Sequence, residues 1–314
     1  MRWVIGVDIG GTNLVVGAVA EDGSRILGAH TRPTEPARGP DAVINEIVAM
    51  VEHTREVLRF SEPGADVIGL GIGAPGPLDT RNGIVLLTPN LGWIDMPLRA
   101  RLSEPLELPA ALDNDANCAV LGECWIGAAR DAHYVIGMTI GTGIGGGVIV
   151  ADRLLRGAHG LATELGHLPV QLDGPLCSCG QPGHLEALAS GTAIARRVQE
   201  QGGLAQPSAA GEATTEEIAA AARAGDPVAV SVLRAAAHAL GTGLAGLVHT
   251  FNPELIILGG GVARAGGFFL QEVEAVLRSS LMDGAFAEGL ELKPSTLGDE
   301  AALLGGLALV KTSS

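Results

Sequence analysis

The chain has 314 residues, of which 47% are hydrophobic, and its formal net charge is −15. This length predicts two lobes or domains, because one hydrophobic core rarely serves so many residues. No apolar run of about 18 residues is free of a charge, glycine or proline, so we expect no membrane protein. The acidic balance disfavours nucleic acid as a partner. The N-terminus has no apolar segment typical of a secretion signal, which predicts a cytoplasmic protein.

The first part of the chain alternates between apolar runs of strand length and segments of helical periodicity. The predicted strands are residues 3–9, 14–20, 25–31, 66–72 and 110–113, and the predicted helices are residues 41–59 and 115–126.

The strand and glycine turn of residues 5–10 (IGVDIG) recur at 136–141 (IGMTIG). Chance similarity in a glycine-rich chain is one explanation. Duplication of an α/β half is the favoured one, because each copy opens a segment of similar size. Two such halves predict a cleft between them.

The remaining elements of the second part follow from the same patterns. We predict a loose linker at 202–215, helices near 184–200, 215–224, 227–250 and 267–281, strands at 254–258 and 290–294, and a last helix over 299–311 with Asp299 as its N-cap.

Asp8 lies near the end of the first strand, and Gly10, Gly11 and Thr12 come shortly after it. Glycines let a backbone approach phosphate closely, and turn N–H groups can face an anion. Asp8 would face the Mg²⁺ that accompanies ATP. The alternative is an ordinary hairpin turn.

Two further glycine clusters suggest nucleotide contacts. Residues 141–147 (GTGIGGG) include Gly141, Thr142 and Gly143 and satisfy the dinucleotide-binding pattern, but that pattern requires a following helix and residues 148–150 predict a strand. A phosphate-binding hairpin is therefore favoured. Gly260 and Gly261 follow the strand at 254–258, where adenine could lie against bare backbone; a plain turn is the alternative.

Asn114 and Asp115 lie between a short strand and a helix. A carboxylate at this place is often only a helix cap. Phosphoryl transfer to a hydroxyl, however, needs a group that accepts the hydroxyl proton, and Asp115 is the candidate base.

Residues 164–186 contain two thiols and two imidazoles, bracketed by two carboxylates. These are Cys177, Cys179, His167, His184, Glu164 and Glu186. Thiolates and imidazoles suit tetrahedral Zn²⁺, and the glutamates suit sugar hydroxyls. The alternative is a pair of free thiols in a polar loop.

Together these segments, with residues 89–93 (PNLGW) and 298–301 (GDEA), resemble the ROK family of sugar kinases over essentially the whole chain. The resemblance implies an α/β, duplicated actin-like (ribonuclease H-like) ATPase fold with two lobes around a central cleft. The lobes would be residues 1–114 with the helix at 299–314, and residues 115–298.

The resemblance also implies the site. Asp115 would be the general base, and the hexose ligands would be Asn90, Asn114, Asp115, Glu164, His167 and Glu186. Thr12, Thr142 and the neighbouring glycines would bind phosphate, and Gly260 and Gly261 would lie near the nucleoside. The implied reaction transfers the γ-phosphoryl group of ATP, with Mg²⁺, to the 6-hydroxyl of a hexose, with glucose the expected acceptor. Fructose, mannose or an N-acetylated hexosamine are alternatives, as is polyphosphate for the donor.

The family also contains sugar-responsive transcription repressors, which carry a helix-turn-helix domain before the kinase-like part. The phosphate strand begins at Trp3, so we expect an enzyme. A homodimer or higher homo-oligomer is the family expectation. One position departs from the family pattern: His184 stands where a third cysteine is expected, and a zinc site of His167, Cys177, Cys179 and His184 would use it instead.

Overall fold

The computed structural model describes residues 1–88, 90–205, 213–263 and 267–313, without the side chains of residues 299, 312 and 313. Pro89 of the PNLGW motif and part of the predicted linker at 202–215 therefore lie outside the described residues, and so does the side chain of the predicted cap Asp299. The chain forms two compact units. The first unit is Met1–Asp131, Leu154–Thr163 and Thr296–Ser314, and the second is Ala132–Arg153 and Glu164–Ser295. The lobe boundaries predicted from the sequence stay a prediction.

The elements up to the end of the third helix are β1 (Arg2–Ile9), β2 (Asn13–Ala20), β3 (Ile26–Pro33), α1 (Pro40–Ser61), β4 (Asp66–Ala74), β5 (Leu78–Asp79), β6 (Ile84–Thr88), β7 (Trp93–Met96), α2 (Leu98–Leu106), β8 (Ala110–Asn114) and α3 (Asp115–Ile126). The remaining elements are β9 (Tyr134–Ile140), β10 (Ile144–Val150), β11 (Arg153–Leu154), α4 (Leu185–Ala189), α5 (Gly191–Glu200), α6 (Thr215–Arg223), α7 (Pro227–Phe251), β12 (Leu255–Gly259), α8 (Gly260–Ala263), α9 (Gly267–Ser280), β13 (Glu291–Pro294) and α10 (Ala301–Ser313).

The predicted duplication is confirmed by the strand order of the two larger sheets. The first sheet has the order β3-β2-β1-β4-β8, and the second has the order β11-β10-β9-β12-β13. Strand β1 pairs antiparallel with β2 and parallel with β4, and β9 likewise pairs antiparallel with β10 and parallel with β12. The register agrees as well, because Asp8 lies opposite Gly73 and its counterpart Thr139 lies opposite Gly259.

The first sheet has an apolar core on each face. Helices α1 and α2 pack on one face, where Trp3, Ile47 and Leu102 are fully buried. Helix α10 packs on the other face beside α3, through residues such as Leu303 and Leu307. Helix α2 and the small sheet β5-β6-β7 were not predicted from the sequence; the strands of this sheet have two to five residues and are too short to show a clear period.

Glycines let α10 pack unusually close to its neighbours. A Cβ at Gly305 would lie 1.7 Å from the backbone oxygen of Cys118 in α3, and one at Gly71 would lie 2.0 Å from that of Gly306. Any side chain at these positions would force the helix away from β4 and α3.

The predicted helix at 184–200 is wrong in one respect, because the structure has two helices there, α4 and α5. Ser190 separates them and caps α5, its hydroxyl accepting from Ala193 N at 3.1 Å. The break places Gly191 at the start of α5, beside a candidate phosphate loop.

Helix α7 is long and apolar enough to span a membrane by length and composition, the one such helix found in the described part of the chain. Its most apolar 18-residue window is 61% buried, however. Helix α7 packs against α4, α5, α6 and α9, as expected for the core helix of the second unit.

Candidate active site

The loop after β1 is tightly closed in the first unit. Gly10 N donates to Asn13 O at 2.8 Å, and the hydroxyl of Thr34 donates to Gly10 O at 2.7 Å. Gly11 and Thr12 are exposed. Asn90 lies beside this loop, since a Cβ at Gly11 would be 3.5 Å from the Asn90 Cβ. The predicted phosphate loop and one predicted hexose ligand are therefore neighbours.

Asn114, and not Asp115, caps helix α3. Asn114 Oδ1 accepts from Ala116 N at 3.0 Å and from Asn117 N at 3.2 Å. Asp115 is the first residue of the helix, and its Oδ1 accepts from Ala116 N at 2.7 Å. The purely structural explanation of Asp115, that it caps α3, therefore applies to Asn114 instead.

Asp115 and Asp8 lie around the same point of β4. A Cβ at Gly73 would be 3.4 Å from Asp115 Cα, 3.4 Å from Cys118 Sγ and 3.6 Å from Asp8 Oδ1. Burial raises the pKa of the Cys118 thiol well above its ordinary value, and the carboxylates of Asp113, Asp8 and Asp115 raise it further. The first unit therefore concentrates negative charge here, which suits a site for a divalent cation and a proton-accepting group.

The second candidate phosphate loop joins β9 to β10 in the second unit. Gly141 N donates to Gly143 O at 2.9 Å, which closes the hairpin. Strand β10 follows, as predicted, so the loop is no dinucleotide-binding turn. Gly191 N at the start of α5 donates to Gly141 O at 2.8 Å, and the Thr192 hydroxyl donates to Thr142 O at 2.8 Å. The start of a ten-residue helix is thus joined to this loop.

Gly260 lies directly beside the same hairpin. Its φ is +86°, and a Cβ there would be 2.4 Å from Ile140 O, so only glycine fits. Gly261 faces Glu216, whose Oε1 would be 3.4 Å from a Cβ at that position. The second unit thus places the predicted nucleoside glycines next to the predicted phosphate loop.

Glu186 joins that hairpin to the cysteine-containing loop. Its Oε2 accepts from Ile144 N at 3.0 Å, and its Oε1 accepts from the Ser178 hydroxyl at 2.9 Å. Glu164 lies exposed at the start of the 3₁₀ turn Leu165–His167, and its backbone oxygen accepts from His167 N at 3.0 Å. Both predicted glutamates therefore flank the same short segment of the second unit.

The four predicted metal ligands converge: the candidate ligand atoms of His167, Cys177, Cys179 and His184 all lie within 4.8 Å of one another. The two Nδ1 atoms are 3.3 Å apart, His167 Nδ1 is 3.6 Å from Cys177 Sγ, and His184 Nδ1 is 3.2 Å from Cys179 Sγ. Tetrahedral zinc with ordinary Zn–N and Zn–S bonds requires about 3.3 Å between two nitrogens and about 3.5 Å between nitrogen and sulfur.

The donor set therefore fits zinc in chemistry and in spacing. Burial raises the pKa of the Cys177 thiol, so the bare protein favours the protonated form, and binding a metal would have to release that proton.

The ROK family model matches residues 4–313. The chain belongs to the ROK family. It is similar to a glucokinase from Thermotoga maritima, with 39% identity over 98% of this chain and 97% of that protein. It is also similar to the solved ROK family glucokinase from Streptomyces griseus in complex with glucose and AMPPNP, with a TM-score of 0.85, 36% identity and 99% of both chains covered. A xylose repressor from Caldicellulosiruptor bescii is 35% identical over 82% of this chain and 65% of its own length.

Three polar residues that bond to predicted site residues or to each other beside them were not predicted from the sequence of this ROK family chain. Asp113 and Arg156 form an ion pair at 2.8 Å, and Ser178 donates to Glu186. Asp113 directly precedes the predicted site residues Asn114 and Asp115, so its position gave a signal. Arg156 gave none, because it lies 43 residues away in the chain.

Proposed function

We propose that this ROK family protein is an ATP-dependent glucokinase, which transfers the γ-phosphoryl group of ATP to the 6-hydroxyl of glucose and yields glucose 6-phosphate and ADP. Similarity to glucokinases over nearly the full length supports the activity and the substrate. The observation that carries the chemistry is the place of Asp115. Asp115 lies beside Asp8 at the start of α3, where its neighbour Asn114 serves as the helix cap, and its carboxylate is a group that can accept a proton.

In this reaction Asp115 takes the proton of the sugar 6-hydroxyl as the oxygen attacks the γ-phosphorus, and ADP leaves with the electrons of the broken P–O bond. Thr12 in the first unit, and Thr142 with the backbone N–H groups of its hairpin in the second, would hold the phosphates, and Asp8 would face the Mg²⁺ that accompanies ATP. Mg²⁺ would supply neutralisation of phosphate charge. Gly260 and Gly261 would lie against the nucleoside.

Glucose would be held by amides, carboxylates and an imidazole that can bond its hydroxyls: Asn90, Asn114, Glu164, His167 and Glu186. Asn114 has its oxygen committed to the cap, so its NH₂ group would donate to the sugar. Glu186 Oε1 accepts from both the Ser178 hydroxyl and the Cys177 thiol, whereas Oε2 accepts from Ile144 N and retains a lone pair for a sugar hydroxyl.

A zinc ion on His167, Cys177, Cys179 and His184 would have a structural role. It would tie the turn that follows Glu164 to the loop that precedes Glu186, and so fix two proposed sugar ligands. The two Nδ1 atoms face each other in the cluster, which would leave His167 Nε2 for a sugar hydroxyl. A cytoplasmic location and a homodimer are further parts of the proposal.

A coupled ADP-release assay over a panel of sugars tests the function. We expect turnover with glucose above that with fructose, mannose and N-acetylglucosamine, and slow ATP hydrolysis without sugar. Activity only with another hexose would contradict the glucose assignment and keep the kinase. No sugar-dependent ADP release, together with sugar-dependent DNA binding, would instead favour a repressor like the similar protein from Caldicellulosiruptor bescii.

A further inference from the structure

Asp113 is a buried carboxylate at the end of β8, two residues before the proposed base. It is 1% exposed and lies opposite Gly73 in the sheet. Its Oδ1 accepts from Asn114 N at 2.8 Å and from Asn117 Nδ2 at 2.8 Å, and its Oδ2 accepts from Arg156 Nε at 2.8 Å. Asp115 therefore lies between two residues that the same carboxylate holds.

The chemistry of this network requires an ionised carboxylate. Both oxygens accept, one from two N–H groups and the other from a guanidinium. An asparagine at position 113 would have the same shape but only one acceptor oxygen, and its other group would be an NH₂ donor. That NH₂ group would face either the donor of Arg156 or the donors of Asn114 and Asn117. An isosteric change at Asp113 would thus break contacts on one side without leaving a cavity.

The network also reaches the chain segment before Glu164. Segment Leu154–Thr163 belongs to the first unit, while the residues before and after it belong to the second. Arg156 bonds Asp113 near the start of this segment, and at its end the Thr163 hydroxyl lies 3.4 Å from Asn117 Oδ1. Glu164, a proposed sugar ligand, is the next residue.

We propose that Asp113 is a positioning residue for phosphoryl transfer, which together with Arg156 fixes the first turn of α3 and thereby the direction of Asp115. This inference rests on the proposed kinase function. It assigns to Asp113 no contact with substrate. A misplaced base lowers the rate of the chemical step far more than it weakens binding, since displacements of about 1 Å can cost about 10²-fold.

The test compares Asp113→Asn with Glu123→Gln. Glu123 is a matched control, because it is also a buried carboxylate of α3, 3% exposed, and it also ties α3 to a distant segment by accepting from Thr296 N and Leu297 N at 2.9 Å. It lies about two helical turns from Asp115. Both changes should lower the Tm.

Only Asp113→Asn should change the chemistry. At 25 °C, well below the Tm of either variant, we expect its kcat to fall at least about tenfold while the glucose KM rises less than about threefold. Glu123→Gln should stay within twofold of the wild type in both. A kcat of Asp113→Asn within twofold of the wild type, or an equal fall in Glu123→Gln, would overturn the proposal.

Amide hydrogen exchange gives a readout independent of activity. Exchange at Ala116 and Asn117 should be faster in Asp113→Asn and unchanged in Glu123→Gln. A wild type without kinase activity would refute the proposed function, and unchanged exchange at these two amides would then refute the positioning role separately. If Asp113→Asn does not fold, Arg156→Gln decides: its side chain is 40% exposed, and its kcat should fall at least about threefold. An unchanged kcat there would refute the proposal.

Discussion

Replacement of Asp115 by asparagine should separate catalysis from stability. The variant keeps an amide oxygen that can accept from Ala116 N, as Asp115 Oδ1 does at 2.7 Å in the native protein, and the helix cap on Asn114 is untouched. What is lost in the fold is the interaction of one negative charge with the start of α3, about 0.3–1 kcal/mol. For a chain of this size that corresponds to a fall in Tm of less than about 4 °C.

The effect on turnover should be much larger. Loss of a general base costs about 10²–10⁴-fold, so kcat should fall at least about 10²-fold, equal to at least about 2.7 kcal/mol in the activation free energy. The assay is steady-state ADP release with glucose, accompanied by calorimetric glucose binding and by thermal unfolding. Sugar affinity should change less than about fivefold, because the amide still bonds a hydroxyl.

Two results would refute this reasoning. A variant with kcat within about threefold of the wild type would show that another group accepts the proton. A fall in Tm beyond about 8 °C would show that Asp115 supports the fold in a way that the Asn114 cap does not explain.

Three further predictions concern the cap, the metal and the core. Asn114→Ser keeps a capping oxygen but removes the NH₂ group, so the glucose KM should rise while the Tm stays unchanged. Asn114→Ala should raise the KM and also lose about 1 kcal/mol of stability in chemical unfolding. An equal KM in the wild type and both variants would remove Asn114 from the sugar site. Elemental analysis should find about one zinc per chain. Cys177→Ala should lower both the zinc content and the Tm, while Gln181→Ala, a change at an exposed residue of the same loop, should lower neither. Zinc-free wild type of normal stability would contradict this prediction. Gly305→Ala should lower the free energy of unfolding by at least about 2 kcal/mol, because its Cβ would overlap the backbone of α3. Gly246→Ala should leave that free energy unchanged or raise it, since a Cβ there meets nothing within 4 Å. Equal unfolding midpoints of the two variants would show that α10 can shift at low cost.

Local patterns were enough to predict much of this protein. The first strand, with Asp8 near its end, the helix that begins at Asp115 and the hairpin at 141–147 agree with the structure, because each depends on residues within a few positions. The duplication followed from one short repeat. The metal cluster was predicted because its ligands span only residues 167–184, so the loop itself brings them together.

Tertiary structure alone decided which polar groups are paired. The sequence could not show that Asn114 rather than Asp115 is the cap, that Glu186 bonds Ile144 N, or that Arg156 bonds Asp113. Such pairs join residues as far as 43 positions apart, and their partners depend on how sheets and helices pack. A local period specifies which face of an element is buried. It carries no information about which distant donor meets a given carboxylate, because that is fixed only when buried polar groups must find partners in the packed fold.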